Sequence, residues 1–246
     1  MSTVLPEYFR PIDGEENFSF CCHPGVPCFT ECCRQLDLAL TPYDVLRLKQ
    51  RLQMHSGEFL ERYVIVEWDE RLVFPRCYLT MVDDGRASCV FVSSEGCTVY
   101  EDRPGACRAY PIGRGARSVP GDSGVAESFV LVEEPHCRGF AEPTTQTPLQ
   151  YLREQGFFDM YARCNDGVLA IEQHEKVQQG FRPDRAQLDQ YMLALYNTDL
   201  FRQEMSDGRI AMRRPLTPSE LQGLAGDGEQ LLLLGINWLR QELFGE

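Results

Sequence analysis

The residues of this sequence with the richest chemistry are its thiols. Cys21-Cys22-His23-Pro24-Gly25-Val26-Pro27-Cys28-Phe29-Thr30-Glu31-Cys32-Cys33 sets five cysteines within thirteen residues. Thiolates are soft ligands that select zinc, copper(I) or iron–sulfur centres. A loop suits that task, because regular secondary structure turns neighbouring side chains to different faces. Pro24, Gly25 and Pro27 supply the turns. An isolated buried cysteine is ordinarily a small hydrophobe. Cys28-x3-Cys32-Cys33 with Cys22 nearby is clustering that burial does not explain, and metal binding does.

A second group runs from Cys89 through Cys97 to Cys107. Ser93-Ser94-Glu95-Gly96 reads as the hairpin turn between the first two, and a Pro-started turn presents Cys107. Arg103 and Arg108 flank that turn. As neighbours of thiols, their guanidinium groups would lower thiol pKa and offset thiolate charge; as surface groups, they would pair with Glu101 and Asp102. Cys137, in Glu134-Pro135-His136-Cys137-Arg138-Gly139, closes the series. His23 and His136 each sit beside a candidate ligand and read either as solvated or hydrogen-bonded imidazoles or as ligands.

The order Cys-x3-Cys-Cys, Cys-Val-Phe-Val, Cys-Thr-Val-Tyr-Glu-Asp-Arg-Pro-Gly-Ala-Cys-Arg-Ala-Tyr-Pro and a late Cys before Gly resembles the YkgJ-type cysteine-cluster family, a zinc- or iron-chelating domain often labelled iron–sulfur-cluster-containing. The resemblance covers roughly residues 18 to 140. It implies metal ligands at Cys22, Cys28, Cys32, Cys33, Cys89, Cys97, Cys107 and Cys137. Five residues separate Cys22 from Cys28, where the family usually has two, so either Cys21 or Cys22 takes the first position. Cys77 and Cys164 have no counterpart. One branch of the family includes flagellin lysine methylases.

The elements that must position these thiols follow from pattern. The expectation is an α+β chain: a small irregular cysteine-rich metal-binding domain over residues 15–140, then a helical C-terminal region over residues 145–246, with the boundary in the Pro- and Thr-rich stretch Ala141 to Gln150. Thr41-Pro42-Tyr43-Asp44 starts a helix, with Thr41 as cap. Val45, Leu46, Leu48 and Leu52 give it an apolar face. Phe59, Leu60 and Tyr63 suggest a second short helix. Strands are expected at Tyr63–Glu67, Leu72–Phe74, Tyr78–Val82, Cys89–Val92, Thr98–Tyr100 and Ser128–Val132. Helices are expected at Leu149–Gln155, Asp159–Gln179, Asp184–Met205, after the Thr217 cap, and at Glu229–Phe244.

Composition narrows the function. The formal net charge of -13 leaves no basic footprint for nucleic acid, and an anionic membrane would repel it. Its apolar runs fall short of the ~20 residues that span a bilayer. The first residues lack the basic start and apolar core of a secretory signal. A cytoplasmic protein with reduced thiols is therefore expected, and its odd count of 11 cysteines suits metal binding better than disulfides. Iron held as an iron–sulfur cluster leads over zinc or mononuclear iron, because the second group mixes thiols with arginines and lacks a Cys-x2-Cys knuckle. Adjacent Cys32 and Cys33 would strain to share one small ion, so thiols from both groups are expected to converge. Two other readings are a lysine methyltransferase-like enzyme, implied by the resemblance, and a structural zinc module presenting the helical region to a protein partner. Against the enzyme, a Gly-rich cofactor turn and the Cys-x3-Cys-x2-Cys spacing of radical enzymes are missing from the sequence.

Overall fold

The computed structural model describes residues 6–69, 71–119, 125–214 and 216–246. The chain is α+β, with small antiparallel sheets and a helical C-terminal region. It divides into two compact units. The first takes the chain up to Leu38 and resumes over Thr80–Asp159; the second joins Ala39–Leu79 to Met160–Glu246. This differs from the single boundary read from sequence. Residues 39–79 leave the cysteine-rich part because their helices, Pro42–Arg51 and Ser56–Tyr63, pack on helices of the C-terminal region. Tyr43 accordingly meets Tyr161 edge-on at 4.5 Å.

In the first unit, Val125–Val132 lies between Phe9–Ile12 and Ile112–Ser118 in an antiparallel sheet. Ile12, Ile112 and Leu131 from this sheet pack with Phe18, Phe20 and Leu152 to form a core. Tyr110, Phe140 and Cys137 pack against its edge. The helix Pro148–Glu154 starts at Thr147, whose side chain accepts from the Gln150 amide. Two-residue ladders complete the unit: Phe18–Ser19 with Thr145–Gln146, Met81–Val82 with Ser88–Cys89, and Val92–Ser93 with Gly96–Cys97. The hairpin turn at Ser93–Gly96 is as expected. The expected strand Thr98–Tyr100 is not formed; Tyr100–Asp102 is a 3-10 turn held by the Arg103 guanidinium, which donates to the Tyr100 carbonyl at 2.6 Å.

In the second unit, Arg76–Leu79 lies between Ala39–Leu40 and Val64–Glu67. The helix Pro42–Arg51 carries the expected cap and adds a reciprocal bond, Thr41 N–H to the Asp44 carboxylate at 2.8 Å. Thr217 and Glu220 form the same box at Pro218–Gly226. Two long expected helices are broken by tertiary contacts. Asp159–Gln179 becomes Met160–Glu172 and Glu175–Gln178, because His174 caps the second piece and stacks on Phe244 at 3.7 Å. Asp184–Met205 becomes Arg185–Leu195 and Thr198–Ser206. Between those two, Asn197 accepts from Ser56 Oγ at 2.9 Å, and Asp199 accepts from Lys49 Nζ at 2.7 Å. Leu72–Phe74 is irregular instead of a strand, and Phe74 stacks on Tyr191 at 4.7 Å. Among the described residues no helix is long and apolar enough to cross a membrane.

Candidate metal centre

All eleven cysteines are free thiols. The first cysteine loop is pinned at both ends. At its start, Phe20 N–H donates to the Thr144 carbonyl at 2.9 Å and Cys21 N–H to the Gly139 carbonyl at 3.1 Å. This approach requires glycine: a Cβ at position 139 would lie 2.8 Å from the Cys21 carbonyl oxygen and 2.6 Å from the Phe20 ring. At its end, Gln35 N–H donates to the Ala87 carbonyl at 2.9 Å. Between these points the loop turns on itself, with Glu31 N–H donating to the Cys28 carbonyl and Cys33 N–H to the Thr30 carbonyl. Thr30 sits at φ 69°, a left-handed conformation that strains a β-branched residue. The Arg34 guanidinium bonds to the Thr30 carbonyl and holds it there.

The second thiol segment packs on this loop. Arg34, the residue after Cys33, and Ser88, the residue before Cys89, form an antiparallel bridge. Arg86 pairs with Glu31 at 2.8 Å. The Phe29 ring covers Gly96, 3.2 Å from where a Cβ would sit, and Gly96 adopts φ 119°. These contacts bring the Cys28–Cys33 loop against the stretch that holds Cys89, on the strand Ser88–Cys89, and Cys97, on the hairpin that follows.

Cys137 arrives from a third segment. Arg138 N–H donates to the Cys28 sulfur at 3.1 Å. Cys107 lies on the short helix Gly105–Ala109, whose C-terminal neighbour Tyr110 donates from its phenol to Glu134 at 2.9 Å. Sequence reading singled out neither Tyr110 nor Glu134 as a site residue. The available signal was their adjacency, three residues after Cys107 and three before Cys137.

The electrostatics fit a cation-binding thiol set. Burial first, then the Cys32, Cys28, Cys137 and Cys21 thiols, push Cys22 up to about 11. Cys32 is raised by its contact with the Cys33 thiol and by burial. Burial raises Cys89, with Cys97 adding to it. Cys97 is raised by burial, while the Val99 amide and Arg103 pull it down. The thiols around Cys22 oppose its ionisation, as Cys33 opposes that of Cys32, and a cation placed among such thiols reverses that balance. The donor chemistry therefore suits zinc or iron. Among the described residues, no three His, Cys, Asp or Glu side chains are already gathered as a closed ligand set.

Both sequence readings of the arginines are incomplete. Arg103 and Arg108 are buried. Arg103 reaches Gln155 Oε1, and Arg108 reaches the Gln155 and Glu101 carbonyls, so they tie the Cys107 turn to the end of helix Pro148–Glu154. His23 has both ring nitrogens engaged, Nδ1 accepting from Gly25 N–H at 3.1 Å and Nε2 facing Glu142 at 3.3 Å. That is the hydrogen-bonded reading. His136 Nε2 lies 3.8 Å from Glu134. Cys77 and Cys164 are buried in the other unit, and burial pushes each up to about 12.

No curated protein and no solved structure matches the chain. A family model does match, over residues 21–138, and its span runs from the first thiol of the pinned loop to the residue whose amide meets Cys28. Over those residues the chain is similar to the CxxCxxCC family, described as a putative zinc- or iron-chelating domain.

Proposed function

We propose that this protein holds iron, as an iron–sulfur centre, through the thiols of its first unit. The observation that carries the reading is the meeting of three thiol-bearing segments around Cys28–Cys33. The bridge between Arg34 and Ser88 joins the residues next to Cys33 and Cys89, and the Arg138 amide reaches the Cys28 sulfur. The ligand candidates are Cys22, Cys28, Cys32, Cys33, Cys89, Cys97, Cys107 and Cys137. An iron–sulfur centre would supply one-electron chemistry, tuned by hydrogen bonds to its sulfurs. The chain's own part is to fix the sulfurs and to aim amides at them, as Arg138 does at Cys28 and Phe91 at Cys89, 3.5 Å away. Iron is favoured over zinc because amides and the buried Arg103 stand beside the sulfurs, a setting that moderates a charge-rich cluster. A reducing compartment, the cytoplasm, suits a protein that depends on free thiols.

The test is metal and sulfide analysis of the full chain purified without oxygen, together with its absorption spectrum. Iron with inorganic sulfide supports the proposal. Stoichiometric zinc without sulfide, from iron-replete cells, contradicts the iron–sulfur assignment and leaves a structural zinc centre in its place.

A further inference from the structure

The second unit holds an open groove of about 640 Å³, a size typical of small-ligand sites. It lies between the start of the helix Ser56–Tyr63, the helix Thr198–Ser206 and Leu221 of the helix Pro218–Gly226. Hydrogen bonds fix one wall. The buried Ser56 hydroxyl accepts from the Asp199 amide at 3.0 Å and donates its own hydrogen to Asn197 Oδ1 at 2.9 Å. That order of bonds sets the Asn197 side chain: its oxygen is engaged by Ser56, and its NH2 donors remain for the groove. Gly57 keeps them uncovered, since a Cβ there would lie 3.7 Å from Asn197 Nδ2. Asp199 is matched by Lys49 Nζ and the Ser56 amide, both at 2.7 Å. Arg202, on the same helix, lies 3.8 Å from Asp199 Oδ1. A guanidinium carries several donors in a planar fork, so this contact leaves others for a ligand. Leu200, 39% exposed, and Leu221 line the groove with apolar surface. The Ser206 hydroxyl, also in the lining, donates to the Arg202 carbonyl at 2.9 Å and is no activated nucleophile.

We propose that this groove binds a small carboxylate with an apolar body, Arg202 and the Asn197 amide taking the carboxylate while Leu200 and Leu221 cover the rest. The proposal is independent of the metal centre. In a chain of net charge -13, an anion is held only where donors gather. Here Lys49 offsets Asp199, and the guanidinium of Arg202 supplies the attraction. Its fork matches the two oxygens of a planar carboxylate. An exposed leucine by itself is ordinary. Two leucines beside fixed donors in one groove select a ligand that has both a charged head and an apolar body.

The experiment titrates the isotope-labelled full-length chain with hexanoate and follows its amide signals by NMR. Saturable shifts are expected at the Gly57 amide and at the Asn197 side-chain amide. Arg202→Gln is expected to weaken hexanoate binding by about 10–100-fold. Gly57→Ala suits a helix, where alanine is favoured over glycine, and is expected to weaken binding by covering the Asn197 amide. Hexanol, which keeps the body without the charge, and inorganic phosphate, which keeps charge without the body, are expected to bind more weakly than hexanoate. Wild-type chain without saturable shifts at Gly57 and Asn197 overturns the proposal. So does hexanol or phosphate that binds as tightly as hexanoate, and so does unchanged hexanoate affinity in either folded variant. If Arg202→Gln does not fold, Gly57→Ala decides alone, and unchanged affinity there overturns the proposal.

Discussion

The amide of Arg138 donates to the sulfur of Cys28 at 3.1 Å, although 110 positions separate the two residues in sequence. An N–H aimed at sulfur favours the charged thiolate over the thiol. The bond also closes the first unit around its thiols, because Cys21, near the start of the same loop, is tied to Gly139. The candidate centre is thus assembled by long-range contacts, and each contact gives a way to test it.

Gly139→Ala should loosen this closure. The added carbon would lie 2.8 Å from the Cys21 carbonyl, a backbone atom that cannot rotate away. Overpacking of this kind costs about 1–3 kcal/mol. Chemical denaturation should show the loss, and metal retained through gel filtration should fall with it. Unchanged stability together with full metal retention would contradict the role given to this close approach.

Ligand and bystander thiols should separate cleanly on substitution. Cys77→Ser and Cys164→Ser are expected to keep the metal, since both thiols are buried in the other unit. Cys28→Ser and Cys137→Ser are expected to lose most of it. Metal content per chain, measured after anaerobic purification, gives the answer. Loss in either of the first two with retention in the second two would refute the assignment.

The second unit has an acid-sensitive tie at Asp199. Burial raises its pKa, but bonds from Lys49 Nζ and the Ser56 amide outweigh that and lower it below 3.8. The sign follows directly: a carboxyl depressed on folding contributes stability in full above its unfolded value and loses it as pH falls through the folded one. Asp199→Asn should therefore cost about 1–3 kcal/mol near neutral pH. The gap to wild type should narrow as pH drops below 3.8. A gap that stays constant in denaturation curves across that range would show that the carboxylate's charge contributes nothing.

Helix packing in the same unit depends on Gly235. A Cβ there would sit 2.5 Å from the Ala194 carbonyl, where Gly228–Phe244 crosses Arg185–Leu195. Gly235→Ala should lower stability by about 1–3 kcal/mol. Gly167→Ala, with its nearest neighbour a side-chain methyl at 3.1 Å, should cost less. Equal unfolding midpoints for the two variants would argue against the close approach.

Much of this was legible because it is local. Thr41, Thr217 and the Ser93–Gly96 turn act through residues a few positions away, so spacing reveals them. The thiol groups were legible for a related reason: their density exceeds what packing needs. What escaped was set at long range. The break at Asn197 depends on Ser56, and residues 39–79 join helices more than eighty positions later. Gly139 resembles any loop glycine until Cys21 is placed against it. Arg103 and Arg108 read in sequence as neighbours of thiols or as surface charges, because nothing local shows that they reach Gln155.

The central claim is that one centre draws on thiols from three segments of the first unit. Thiol footprinting tests it most directly: the reduced full-length chain is alkylated with and without bound metal, and each cysteine is followed by peptide mass spectrometry. The account predicts that metal protects Cys28, Cys33, Cys89 and Cys137 together, at the same metal-to-protein ratio. Metal that protects thiols of the Cys21–Cys33 loop alone, while Cys89 and Cys137 react at their metal-free rates, would contradict it.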